Sequence, residues 1–167
     1  MEMIFVLVSI LQAMAISLGV GCSTVAIVSF FVAIADGAIT PEERNMMGVV
    51  YLLLRIAMVA IFATSTILAL MHFGSGIDTH FTTFIISKWF LVFVLFANAT
   101  LMTKRIMPSN FGPAIQAGTW YTLGITMTLI PLGLAQYSLF EFFVGYAAAL
   151  TLSVAVVNGV MGYLKHK

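Results

Sequence analysis

The sequence predicts an all-α integral membrane protein, a bundle of about five transmembrane helices with its N-terminus outside and its C-terminus in the cytoplasm. Three observations predict it. Only 8% of the 167 residues are charged and 62% are hydrophobic, against roughly 25% and about half in a soluble domain; mean hydropathy is +1.12. The apolar residues form long continuous runs, as spanning helices require, rather than the one-face spacing of a soluble helix. The basic residues of the connecting segments gather on one side. The same runs exclude a β-barrel, whose strands alternate in polarity over short segments.

The elements follow in order. The first run extends from Met3 to Ala35, about 50 Å of helix and well over a ~30 Å hydrocarbon core. Gly19-Val20-Gly21, followed by Ser23 and Thr24, is the place where it is expected to bend. Splitting it there into a hairpin would give six spans, but each half would be too short to cross. The N-terminus lacks the basic n-region of a secretory signal, and Gly19 spoils a lipoprotein-like box at Gly19–Cys22, so the first span is expected to be retained.

Thr40, Pro41 and Glu43 open the second helix as an N-cap, a first-position proline and a capping box. It runs past Arg55 to about Phe73, where Gly74-Ser75-Gly76 ends it. Asp78 or Thr79 caps the third helix, which reaches about Thr103. Pro108 and Gly112-Pro113 bracket the next turn. The fourth helix spans roughly Pro113 to Leu134 with a kink at Pro131. Ser138 and Glu141 form a second capping box and open the fifth, which ends near Leu164. The chain is therefore one transmembrane domain, residues 1–167, with spans at roughly 3–35, 42–73, 80–103, 113–134 and 140–164.

With five spans, Arg44, Lys104, Arg105, Lys165 and Lys167 share one side. The opposite side carries no Lys or Arg, only Glu2, His72, Asp78, His80 and Glu141. The positive-inside rule makes the basic side cytoplasmic. The expected location is a cell membrane, the inner one if bacterial, and the expected partner is the lipid bilayer. A net charge of +1 gives no electrostatic case for nucleic acid. Small residues at spacing four invite close helix packing: Ala147, Thr151, Ala155 and Gly159, with Gly145, Ala149 and Ser153 beside them, and on the first helix Ala13, Ser17, Gly21 and Ala15, Gly19, Ser23. The bland reading is packing within the chain; self-association into a homo-oligomer, or docking into a larger membrane complex, is the other.

Arg55 and Lys88 stand inside the predicted spans, ~12 Å and ~11 Å from the cytoplasmic and outer boundaries by residue counting. Neither has an acidic residue at i±3 or i±4. A charge near the bilayer centre costs at least ~2.5 kcal/mol, so an uncompensated one marks a functional site. Two fixed cations without a fixed anion suit a mobile one, such as a halide, a carboxylate or a lipid or quinone head group. A break in the first helix would let Ser23 or Thr24 cap a half-helix and offer an anion seat. The expected ligand-binding set is thus Arg55, Lys88, Ser23 and Thr24. The bland alternative pairs Arg55 with Asp36 or helix-end carbonyls, and lets Lys88 snorkel to Asp78 or Glu141. A retinal Schiff base at Lys88 would lack an intramembrane carboxylate as counter-ion.

A small transport or channel protein, or a subunit of one, handling a small anionic solute is the first functional expectation, with no resident cofactor. The second is a membrane redox protein in which His72 and His80, with Asp78 and Met71, hold haem or a metal ion; ordinary interfacial histidines are the bland reading. The third is an assembly subunit with no ligand. Asp36–Glu43 resembles an EF-hand loop only superficially and lacks its regular oxygen ligands. Gln12, Gln116, Asn98 and Asn158 read as interhelical hydrogen-bonding groups, and Trp89, Trp120 and Tyr121 as helix-contact or cavity residues. No nucleophile–base pair, phosphate loop or intramembrane carboxylate pair points to an enzyme.

Overall fold

A computed structural model of the chain describes residues 2–35, 40–73, 79–108, 111–130, 132–134 and 136–165, with the backbone alone at 33–35, 72, 73, 79–82 and 165. Among these the chain forms five α-helices: α1 Glu2–Ala35, α2 Pro41–Phe73, α3 Thr79–Thr103, α4 Gly112–Leu129 and α5 Leu139–Lys165. Four of them, over Glu2–Val32, Pro41–Met71, Thr83–Thr103 and Leu139–Leu164, are long and apolar enough to cross a membrane. Large apolar side chains such as Ile4, Leu52, Val59, Leu70, Phe93 and Leu152 are exposed on the outside, a surface compatible with a multi-pass membrane protein.

Both capping boxes close. The Thr40 amide donates to Glu43 Oε2 at 2.8 Å and the Glu43 amide to Thr40 Oγ1 at 3.3 Å; Ser138 and Glu141 repeat the exchange at 2.7 and 3.2 Å. Asp36, Gly74–Gly76 and Asp78 lie outside the described residues. Helix α3 ends in a Schellman turn: Arg105 takes a left-handed φ of 56°, its amide donates to Met102 O, and the Ile106 amide reaches Leu101 O. Helix α4 ends the same way around Gly133, φ 69°, with the Leu134 amide donating to Leu129 O at 2.9 Å. This corrects the expected extent of the helix, to Leu134. Regular helix stops at Leu129, ahead of Pro131, which itself lies outside the described residues.

A second correction concerns α1, which runs unbroken from Glu2 to Ala35. Ser23 and Thr24 both donate to Val20 O, at 2.9 and 2.8 Å, so neither hydroxyl caps a half-helix; they bond back into the helix that contains them. The split into two short spans falls with the break. Gly19 serves contact instead. A Cβ there would run into the Trp120 ring of α4.

Helix α4 is the centre of the bundle. It packs on α1, α3 and α5, while α1 packs most extensively on α2. Its buried residues are mainly small or polar: Ala114, Gln116, Ala117, Gly118, Thr119, Thr122 and Thr126, with Trp120 and Leu123 as the large ones. Small residues admit close neighbours, and a Cβ on Gly118 would lie 2.7 Å from Ser153 Oγ of α5. Of the small-residue ridges, Ala15, Gly19 and Ser23 are buried, and Ala149 and Ser153 are partly covered. Ala13, Ser17 and Gly21, and the α5 ridge Ala147, Thr151, Ala155 and Gly159, face outward.

Candidate functional site

Four helices, α1 to α4, enclose a seam with a cavity at each end, each of about 310 Å³. The Lys88 cavity is formed by Phe5, Ser9 and Gln12 of α1, Leu68 and Ala69 of α2, Phe84, Ile85 and Lys88 of α3, and Met127 with Ile130 at the end of α4. The Arg55 cavity takes Ser23, Ala26 and Ile27 from α1, Tyr51 to Met58 from α2, Ala99 to Thr103 from α3, and Pro113 and Gln116 from α4. Between the two, each helix advances by about ten or eleven residues (Gln12 to Ser23, Met58 to Leu68, Lys88 to Ala99, Gln116 to Met127), or roughly 16 Å. That interval is filled by Ile16, Ile61, Leu91, Leu95, Trp120 and Leu123, all buried in one apolar cluster.

Lys88 is 4% exposed. Its Nζ sits over the Phe84 ring, 5.6 Å from the centroid, a favourable cation–π contact when desolvated. The described carboxylates are Glu2, Glu42, Glu43 and Glu141, all in first helical turns, and Glu43 and Glu141 are engaged by their caps. None forms an ion pair with Lys88 or Arg55, and Asp36 and Asp78 lie outside the described residues. Beside Lys88, Gln12 is 1% exposed and its Nε2 donates to Ser65 Oγ at 2.8 Å, tying α1 to α2 below the cavity. Ser87 Oγ and the Tyr137 hydroxyl are both buried and lie next to each other.

At the other end, Asn98 Nδ2 donates to Gly112 O at 2.9 Å and to Gln116 Oε1 at 3.0 Å, and Gln116 Nε2 reaches Met58 Sδ at 3.7 Å. Asn98 Oδ1 is left buried and unpartnered. Arg55 is exposed and borders both this cavity and a groove of about 370 Å³ on the outer surface between α2 and α3, which Lys104 shares.

The predicted residues therefore divide. Ser23 and Arg55 line one cavity, Lys88 lines the other, and the two bases do not meet. Thr24 lines neither; it is exposed, and because its proton goes to Val20 O, Tyr121 donates to it at 2.6 Å. His72 and His80 fall in the last turn of α2 and the first turn of α3, but their side chains, like Asp78, lie outside the described residues. No group of three or more His, Cys, Asp or Glu side chains able to hold a metal occurs among the described residues. Gln12 was legible as an interhelical hydrogen-bonding group, which its bond to Ser65 is, but nothing in the sequence joins it or Ser9 to the Lys88 cavity that both share. No protein-family model matches the chain, and no curated protein or solved structure matches it significantly.

Proposed function

We propose that the protein is a small membrane transport protein that handles an anionic solute, with Lys88 as the residue that binds the anion. The observation that carries this reading is a lysine 4% exposed, on the wall of a cavity, with no described carboxylate paired to it. Such a charge is costly inside a membrane unless something compensates it. The Phe84 ring supplies part of the compensation; a visiting anion supplies the rest and leaves again. A cavity at either end of one seam, with an apolar barrier between, is the arrangement expected if access alternates between the two faces.

Five crossings, with α4 as the central one, accompany this reading. Helix α4 covers ~27 Å and packs between α1, α3 and α5, burying its small and polar residues there and leaving Tyr121 and Ile125 on its exposed face, so it has no need of a uniformly apolar surface. The N-terminus is then outside and the basic turn after α3 cytoplasmic.

The test is uptake of radiolabelled chloride and acetate into liposomes holding the purified protein. In Lys88→Met, uptake of the transported anion falls at least about tenfold, the loss of one charge-assisted contact. The variant should still elute as a single species and unfold no earlier than the parent, because removing an uncompensated buried charge relieves a penalty. Unchanged uptake, or a variant that unfolds early as a broken buried ion pair would, sinks the reading.

A further inference from the structure

We propose that the groove between α2 and α3 at Arg55 and Lys104 is a binding site for an anionic phospholipid. Its two cations take the phosphate, and its apolar wall takes an acyl chain. Arg55 and Lys104 line this groove of about 370 Å³ together with Thr100 and Thr103 at the same end, while Val59 and Phe96 continue it along the helices.

The groove lies on the outer surface. Val59 is 62% and Phe96 36% exposed, and Arg55, Thr100, Thr103 and Lys104 are exposed as well. In a bilayer such a surface is covered by lipid, so the occupant's class follows from the medium, and charge decides which lipid it is. Arg55 stands three to four helical turns into α2, a depth at which its guanidinium reaches back toward the head groups along its own apolar stem. Lys104 follows the last turn of α3, where phosphates lie. No described carboxylate lines the groove, so two like charges share it and need a counter-charge. Thr100 and Thr103 donate to Phe96 O and Ala99 O, both at 2.8 Å, which leaves them as neutral wall and leaves the two bases as the donors for a phosphate. Basic pockets between helices at the cytoplasmic side bind anionic head groups in this way, Arg by a bidentate fork and Lys as a point charge. The site is independent of Lys88, which lies at the opposite end of the seam.

Native mass spectrometry of the detergent-purified protein titrated with phosphatidylglycerol or phosphatidylcholine tests the proposal. One phosphatidylglycerol is retained in preference to phosphatidylcholine. Arg55→Gln and Lys104→Gln each weaken its retention about fivefold, and the double variant removes the preference. Arg44→Gln, a base on the same side but outside the groove, changes nothing. The substituted side chains are exposed, and a melting curve of each variant confirms its fold. Equal retention of the two lipids, or full retention by the double variant, overturns the site. Displacement of the lipid by millimolar inorganic phosphate would assign the two cations to a soluble anion instead and overturn it equally.

Discussion

At the scale of single residues, glycine and hydroxyl side chains proved harder to read than charge. Lys88 stood out in the sequence as an ammonium within an apolar run, and the structure buries it on a cavity wall. Gly19 suggested a hinge and is a contact point, since the sequence does not name Trp120 as its neighbour. Ser23 and Thr24 suggested a cap, but a hydroxyl inside a helix can always turn back to a carbonyl three or four residues earlier, and both do. The consequence at Gly19 is measurable. In Gly19→Ala the new methyl meets a fully buried indole, and either α1 or Trp120 must move. We expect a loss of about 1–3 kcal/mol, read as earlier thermal unfolding in detergent, whereas Gly21→Ala, where a Cβ meets nothing within 4 Å, should be neutral or slightly stabilising. Equal effects at the two sites would contradict the close α1–α4 approach.

At the scale of elements, the starts of α2 and α5 were legible because a capping box is a local exchange written in four consecutive residues. Their observed geometry follows that pattern. The end of α4 was not, because Pro131 and Gly133 are both helix-stopping residues and only the backbone decides which acts. Gly133 adopts the left-handed conformation and closes the turn. Helix α3 closes with the same turn built on Arg105, a residue with a Cβ at φ 56°. Exchange of Arg105 for glycine should therefore stabilise the α3 terminus by about 1 kcal/mol, seen as slower amide exchange at Lys104–Met107 and a higher melting temperature. A lower melting temperature would show that the arginine side chain contributes more than its backbone strain costs.

At the scale of the whole molecule, the sequence reads as five spans, and four of the helices are long and apolar enough to cross a membrane. The fourth, read as a span over roughly 113–134, is shorter and less apolar than those four. Helix α4, with Gln116 and its buried threonines, is apolar enough for neighbours without being apolar enough for lipid. Which side of each helix faces inward was likewise illegible: the α1 ridge of Ala15, Gly19 and Ser23 is covered, whereas the equally regular ridge on α5 is not. Arg55 and Lys88 are kept apart along the seam, at its two ends, rather than by rotation. Whether α4 crosses decides the topology, and the native Cys22, being buried, is easily replaced to give a clean background. In a Cys22→Ala protein, single cysteines at the exposed positions Ile106 and Ser138 should react with a membrane-impermeant maleimide from opposite faces of intact vesicles. Reaction of both from one face would leave four crossings.

The apolar cluster between the two cavities is also a dielectric. Under the transport reading proposed above, cavities open to water would carry almost no voltage drop, and the membrane potential would fall mainly over the roughly 16 Å occupied by Ile16, Ile61, Leu91, Leu95, Trp120 and Leu123. A unit charge passing from the Lys88 end to the Arg55 end would then traverse nearly the whole potential, worth about 2.3 kcal/mol per 100 mV. In such a transporter the thickness of packed hydrocarbon at the middle of the bundle would set how strongly the membrane potential acts on the ion moved.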